Sequence, residues 1–230
     1  MANTTTRAQL RTRARQLADR ESSTFVSDTE LNTRADVSAS ELHDILVTRF
    51  EDYFESKSTI VMVSGTSDYA LPTDFYKDLW VDFVTGSKNY TMKRYMNMER
   101  NRRQFGTAQA GIAQYRIIGS LIRVIPTPGS GSIVMGYVPQ YAPFTADSGA
   151  GGVVESAVPQ GWEEYIVADM AMYMLNKEES DISAVMAIKM QLKERIEIAA
   201  EDRDTNEPIH VVDVSGRFRR TTDGADEWGW

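Results

Sequence analysis

The first 64 residues contain neither glycine nor proline, and this absence restricts the fold more than any other feature of the sequence. Both residues interrupt helices, so their absence favours a helical N-terminal region. Apolar residues at helical spacing predict a first helix over Arg7–Glu21, capped by Thr5 or Thr6. Ser27 and Glu30 form a capping-box pattern that begins a second helix.

The second helix is predicted to continue to Tyr53 along a broad apolar stripe. Phe25, just before it, is interpreted as a hydrophobic staple. Ser38 and Glu41 repeat the capping-box spacing inside the helix, which predicts a kink or short break near Ala39.

Short β segments follow. The clearest is a hairpin, in which Gln114–Ile118 and Leu121–Ile125 are joined by Gly119-Ser120. A second hairpin is predicted for Leu79–Thr85 and Tyr90–Arg94, and a short polar helix for Asn97–Phe105. Two more helices then form a hairpin, with apolar residues spaced by three and four from Trp162 to Ala199. Their methionines, which include Met186 and Met190, are interpreted as core-filling residues.

These patterns predict an α+β protein with one helical bundle built from both ends of the chain. Residues 1–57 and the hairpin 159–204 form the bundle, residues 58–138 form a small inserted antiparallel β lobe, and residues 139–158 form a loop or linker. Residues 205–230 lack helical or strand periodicity and are predicted to form an extended C-terminal arm.

Charge is unevenly distributed along the chain. Residues 1–20 hold five arginines against one aspartate, whereas residues 151–210 hold 13 acids against 5 bases. Two explanations stay open: separate faces that meet different partners, or solvated helix surfaces that differ in sign. The arginines assigned to contacts between subunits or with partners are Arg7, Arg11, Arg15, Arg100, Arg102 and Arg103.

The residues needed for most catalytic and metal sites are missing. The chain has no cysteine and two histidines, His43 and His210, and no phosphate-binding loop or nucleophile motif is present. His43 is interpreted as a surface or interhelical hydrogen-bonding residue. We therefore expect no enzymatic activity, no metal and no cofactor. No apolar run approaches the roughly 18 residues of a membrane-spanning helix, and the charged N-terminus lacks the apolar segment of a signal peptide.

Eight short sequence segments follow one another between roughly residues 25 and 207, and no single one is specific. They are Glu51-Asp-Tyr-Phe54, Tyr69-Ala-Leu-Pro-Thr-Asp-Phe75, Glu99-Arg-Asn-Arg-Arg103, Tyr115-Arg-Ile-Ile-Gly119, Ile125-Pro-Thr-Pro128, Gly161-Trp-Glu-Glu-Tyr165, Leu175-Asn-Lys-Glu-Glu-Ser-Asp181 and Arg195-Ile-Glu-Ile-Ala-Ala-Glu201. In this order the segments resemble the head-to-tail connector (adaptor) proteins of tailed bacteriophages.

This resemblance implies a structural virion protein at the head–tail interface, assembled in the host cytoplasm. It implies a 12-mer ring between the portal protein and tail components (nozzle or tail-tube proteins), with double-stranded DNA passing through the bore. Acidic surface along such a passage would repel phosphate, so no sequence-specific DNA contact is expected.

The C-terminal arm has the composition of a binding segment. A short apolar run suits addition to a sheet edge, and arginine and tryptophan are enriched among interface hot spots. We predict that the arm binds another protein, with the portal as the receiver implied by the resemblance. Its binding residues are Ile209, Val211, Val212, Val214, Arg217, Phe218, Arg219, Arg220, Trp228 and Trp230.

The sequence also permits two alternative functions. Arg7, Arg11 and Arg15 repeat every four residues, as phosphate contacts would in a small DNA-binding regulatory protein. The other alternative is a hydrolase that acts through unrecognised carboxylates.

Few large apolar side chains are expected to stay exposed once the helical stripes are buried, so isolated subunits are predicted to be monomeric.

Overall fold

The first helix is capped at Thr6, one of the two predicted caps, and is shorter than the predicted Arg7–Glu21. The computed structural model describes residues 5–21, 25–99, 113–127, 129–147 and 161–201. Helix α1 (Arg7–Leu17) begins at Thr6, whose hydroxyl accepts a hydrogen bond from the Gln9 amide while the Gln9 side chain accepts one from the Thr6 amide. The helix ends before Glu21 because Asp19 adopts a φ of 53°.

Helix α2 (Asp28–Arg49) begins at the predicted capping box of Ser27 and Glu30. The predicted break near Ala39 is wrong, because the Ser38 side chain is fully buried in the bundle and does not cap a helix. Phe25 is exposed and is not the staple, whereas Val26 lies in the bundle core. A 3₁₀ turn (Glu51–Phe54) follows the helix.

Helices α3 (Glu163–Lys177) and α4 (Ser183–Glu201) form the predicted hairpin. The Asp181 carboxylate accepts a hydrogen bond from the Ser183 amide and so caps α4. A single hydrophobic core contains side chains of all four helices, which confirms a bundle built from both ends of the chain. Its fully buried members include Leu10, Leu31, Leu42, Leu46, Tyr165, Ile166, Met170 and Met174.

The inserted β lobe contains two four-stranded sheets. The strands are β1 (Ser56–Met62), β2 (Asp68–Ala70), β3 (Phe75–Thr85), β4 (Lys88–Thr91), β5 (Lys93–Arg94), β6 (Gln114–Ile118), β7 (Leu121–Ile125) and β8 (Gly131–Pro139). Their orders are β1-β8-β3-β4 and β2-β7-β6-β5. All pairs are antiparallel except β5 with β6, which departs from the purely antiparallel lobe expected from the sequence.

Two tight turns explain much of the strand pairing. Gly119-Ser120 joins β6 to β7 with Ile118 opposite Leu121, as predicted, and Gly119 adopts a φ of 60°. The turn between β3 and β4 is shorter than predicted, because Thr85 pairs directly with Lys88.

The two sheets are joined by a polar cluster beside the core of the lobe. The Asp78 carboxylate on β3 accepts a hydrogen bond from the Tyr115 hydroxyl on β6 at 2.9 Å. Arg94 on β5 donates to the same carboxylate, so one acid links three strands from both sheets. The lobe core itself consists mainly of Val81, Phe83, Ile122, Val124, Ile133 and Met135.

Several predicted features lie wholly or partly outside the described residues. Of the predicted polar helix, the structure describes a 3₁₀ turn at Asn97–Glu99. Of the predicted linker, it describes residues 139–147, and it does not describe the arm 205–230. Among the described helices, none has the length and apolar character needed to cross a membrane.

Candidate functional site

The N-terminal arginines are ion-paired within the chain. Arg7 and Arg11 both contact the Asp147 carboxylate, at 2.9 and 2.8 Å, and Arg15 contacts Asp28 at 2.9 Å. These hydrogen bonds from Arg11 and Arg7 lower the pKa of Asp147. The three arginine side chains are only 12, 11 and 15% exposed. They do not form the exposed row of phosphate contacts that the regulatory DNA-binding alternative requires.

Two further arginines of the N-terminal region pair with acids of α3 and of the turn that follows it. Arg13 lies 3.0 Å from Glu164, and Arg20 lies 2.6 Å from Glu178. The basic start and the acidic C-terminal helices therefore neutralise part of each other's charge inside one subunit. A role of Arg7, Arg11 and Arg15 across a subunit interface stays a prediction, and Arg100, Arg102 and Arg103 lie outside the described residues.

Residues 140–147 form a strap that was predicted only as a loop or linker. The Asp36 carboxylate on α2 accepts hydrogen bonds from the Phe144 amide at 2.9 Å and from the Tyr141 hydroxyl at 3.3 Å. Asp147 then reaches the arginines of α1. The strap thus connects the last strand of the β lobe to two helices of the bundle. No local sequence pattern predicts these partners.

A charged cluster is buried where α2, α3 and α4 meet. Asp169 is fully buried, and its Oδ1 accepts hydrogen bonds from Arg34 Nη2 and from Lys189 Nζ, both at 2.7 Å. Lys189 Nζ also donates to Glu41 at 3.2 Å and lies 4.9 Å from the centre of the Tyr165 ring. The hydrogen bond to Asp169 raises the pKa of Arg34. This cluster links the three helices through one shared carboxylate.

Helix α4 presents an exposed apolar face, which we call the α4 face: Met186, Met190 and Ile198. Their side chains are 48, 63 and 54% exposed. The two methionines were predicted to fill the core, and few large apolar residues were expected at the surface. Both expectations are wrong for α4, because the helix contacts the bundle along one narrow stripe that includes Val185 and Ile196. An apolar surface of this kind is typical of protein contacts.

A groove lies where the bundle meets the β lobe, and we call it the junction groove. It has a volume of about 500 Å³ and lies between α2, the start of β3 and the strap. Its lining includes Asp36, Val37, His43, Asp44, Tyr76 and Tyr141. The combination of carboxylates and aromatic rings suits a cationic or aromatic side chain more than an anionic one.

His43 is buried at the base of this junction, which excludes the surface position, one of its two predicted interpretations. Its ring stacks on Phe54 with centroids 4.7 Å apart, and the ring of Tyr76 lies nearly perpendicular to it with centroids 6.2 Å apart. Burial lowers the pKa of His43, and this effect exceeds the opposing influence of Asp44. Within the part of the chain that the structure describes, no three His, Cys, Asp or Glu side chains come together as metal ligands.

The lowered pKa of His43 predicts a loss of stability on mild acidification. Below the ordinary pKa of about 6.5 the unfolded chain binds a proton that the folded chain resists, so stability falls as the pH decreases. We expect Tm to decrease between about pH 7.5 and pH 5.5, and His43→Phe to reduce that slope. Thermal unfolding monitored by circular dichroism measures both. Equal slopes in the two proteins would contradict this prediction.

Comparison with protein families identifies the class to which this α+β architecture belongs. The family model described as SU10 adaptor protein matches residues 5–212 of the 230. The chain therefore belongs to the SU10 adaptor family, a family of phage head–tail adaptors. Comparison with curated proteins finds no match. The family match confirms the resemblance inferred from the sequence segments and covers the whole bundle and the β lobe.

Proposed function

We propose that this protein forms the adaptor ring between the portal and the tail of a phage particle. In this role it is a structural component and not an enzyme, present as a 12-mer through which double-stranded DNA passes. It is assembled in the host cytoplasm and contacts nozzle or tail-tube proteins on the side away from the portal. The match to the adaptor family over residues 5–212 is the observation that carries this proposal.

The α4 face supports contact between neighbouring subunits. When another protein covers large apolar side chains, the free energy falls by about 25 cal/mol per Å² of apolar area buried. Met190 and Ile198 lie eight residues apart, about 12 Å along the helix. A neighbouring subunit that packs against this face would extend the bundle into a ring.

Passage of DNA without sequence-specific contact is supported by the charge of the chain and by its ion pairs. The formal net charge is −8, which disfavours binding of a polyanion by the protein as a whole. The arginines of α1 contact acids of the same chain. A duplex that moves through the bore then meets few free cations from this helix.

Attachment to the portal is assigned to the C-terminal arm. Its apolar run at Ile209–Val214 suits strand addition, and Trp228 and Trp230 are the residue type most enriched at interface hot spots. Such a segment loses conformational entropy when it becomes ordered, and only the contacts made on binding compensate this loss, as in other coupled folding and binding reactions.

Deletion of residues 208–230 is expected to abolish attachment to portal rings while Tm stays within a few degrees of the full-length value. The reason is that the described bundle and β lobe form their cores from residues before 202. Electron microscopy and mass measurement of the mixed proteins should show added adaptor rings with the full-length chain only. The double variant Trp228→Ala, Trp230→Ala separates loss of the hot-spot side chains from loss of chain length.

Failure of the full-length protein to add to portal rings would contradict the proposed function. Unchanged affinity of the truncated protein would contradict the role of the arm and leave the ring itself intact.

A further inference from the structure

We propose that the junction groove binds the basic–aromatic segment Arg217-Phe218-Arg219-Arg220 of this protein's own C-terminal arm. The segment would be anchored there, leaving Trp228 and Trp230 free for a partner farther away. This inference goes beyond the proposed function, because it concerns how the arm is held on the adaptor itself. It rests on the shape, charge and position of the groove.

The groove has the size and walls of a side-chain binding site. Its volume of about 500 Å³ lies within the roughly 300–1,000 Å³ typical of pockets that enclose a ligand. Val37 on α2 and Tyr76 on β3 are both exposed large side chains in its lining. Tyr141 and Pro143 from the strap complete an apolar and aromatic wall that would take the Phe218 ring.

The solvent-exposed charge in the groove is negative. The Asp44 side chain is 57% exposed, and its carboxylate lies 3.8 Å from His43 Nδ1. Because burial lowers the pKa of His43, that ring is neutral at pH 7 and does not cancel the charge of Asp44. Asp36 is more enclosed: it accepts hydrogen bonds from the strap and lies 3.9 Å from Arg7. Asp44 is therefore the main attraction for a cation.

The chemistry of the arm segment complements this lining. A guanidinium group can donate two parallel hydrogen bonds to a carboxylate and can stack on a tyrosine ring. The segment holds three arginines and one phenylalanine within four residues. Lysine and simple amines match only the charge, so the groove favours an arginine-rich aromatic segment.

The arm also begins close enough to reach the groove. Arg49, at the end of α2, lies 2.7 Å from Glu197 in the last turns of α4. His43 is six residues before Arg49, which is about 9 Å along the helix. The 16 residues from Glu201 to Arg217 can span up to about 50 Å when extended. The same segment could therefore reach the groove of its own subunit or of a neighbour.

Photo-crosslinking in the full-length protein tests this proposal. Phe218 is replaced by p-benzoylphenylalanine, the protein is irradiated without portal, and the adducts are mapped by mass spectrometry. We expect adducts within residues 36–44, at Tyr76 or within residues 140–143. Mixing isotope-labelled and unlabelled protein shows whether the arm comes from the same chain or from a second copy, and either result supports the proposal.

Matched variants separate specific binding from random contact. Asp44→Asn removes an exposed ion pair of up to about 1 kcal/mol, so the adduct yield is expected to fall up to fivefold. Combining it with Tyr76→Ala should lower the yield further, while Glu194→Gln, an exposed acid on α4, should leave it unchanged. Adducts elsewhere on the chain, or equal yields in all variants, would overturn the proposal. Because portal is absent, these outcomes are independent of ring attachment.

Discussion

Replacing Asp169 by alanine is expected to lower the free energy of unfolding by about 3–5 kcal/mol, since it removes one partner of a buried ion pair. The fully buried carboxylate contacts both Arg34 and Lys189, so its loss leaves two cations inside the bundle without their shared acceptor. Glu41 accepts a hydrogen bond from Lys189 at 3.2 Å and acts on Arg34 only through its charge, so it compensates only part of this loss. Chemical denaturation in urea measures the change.

Arg13→Ala is the matched control for that measurement. Arg13 also pairs with α3: it lies 3.0 Å from Glu164, and both of these side chains are exposed, whereas its contact with the buried Glu163 is longer, at 3.8 Å. Exposed pairs contribute roughly 0–1 kcal/mol, so the control should unfold nearly as the unmodified protein does. If Asp169→Ala lowers the free energy of unfolding no more than Arg13→Ala does, the buried cluster does not stabilise the bundle.

Replacing Gly136 by alanine is expected to cost about 1–3 kcal/mol, the usual penalty for overpacking. Gly136 on β8 lies under the indole ring of Trp80, and a Cβ atom there would overlap the Nε1 and Cε2 atoms of that ring. The ring cannot easily move away, because Nε1 donates a hydrogen bond to Glu55 at 3.0 Å and Lys57 lies over its face.

The variant Trp80→Val tests the cause of this penalty. In its background the added methyl group has space, so Gly136→Ala should cost little and the two substitutions should be strongly non-additive. Additive effects would indicate that the glycine matters for another reason, such as backbone conformation in β8. Thermal or urea unfolding of the unmodified protein, the two single variants and the double variant gives this double-mutant cycle.

Local features could be predicted from the sequence because their causes lie within a few residues. The N-cap at Thr6 (one of two predicted threonines), the capping box at Ser27 and the Gly119-Ser120 turn depend on neighbours in the chain, and the structure confirms them. Apolar periodicity at both ends likewise predicted one shared bundle with an inserted β lobe. The order of short sequence segments along the chain predicted the adaptor family, which the family match confirms.

Errors arose where a residue's role depends on distant parts of the chain. Ser38 resembles a helix cap in sequence, but it is buried against other helices and α2 continues through it. Met186 and Met190 lie on a helix with apolar spacing, yet that helix is covered on one side only. Periodicity shows that a helix has an apolar face, but it does not show how much of that face the bundle covers.

By itself the sequence determined the four helices, the main hairpin, the α+β class and the adaptor family, because these follow from local conformational preference and from order along the chain. Only the tertiary structure shows that the arginines of α1 form ion pairs with Asp28, with Asp147 and with acids of α3. It also decided that Asp169 is buried between two cations and that a groove opens beside His43. Each of these depends on side chains that are far apart in sequence, and only folding brings them within a few ångströms of each other.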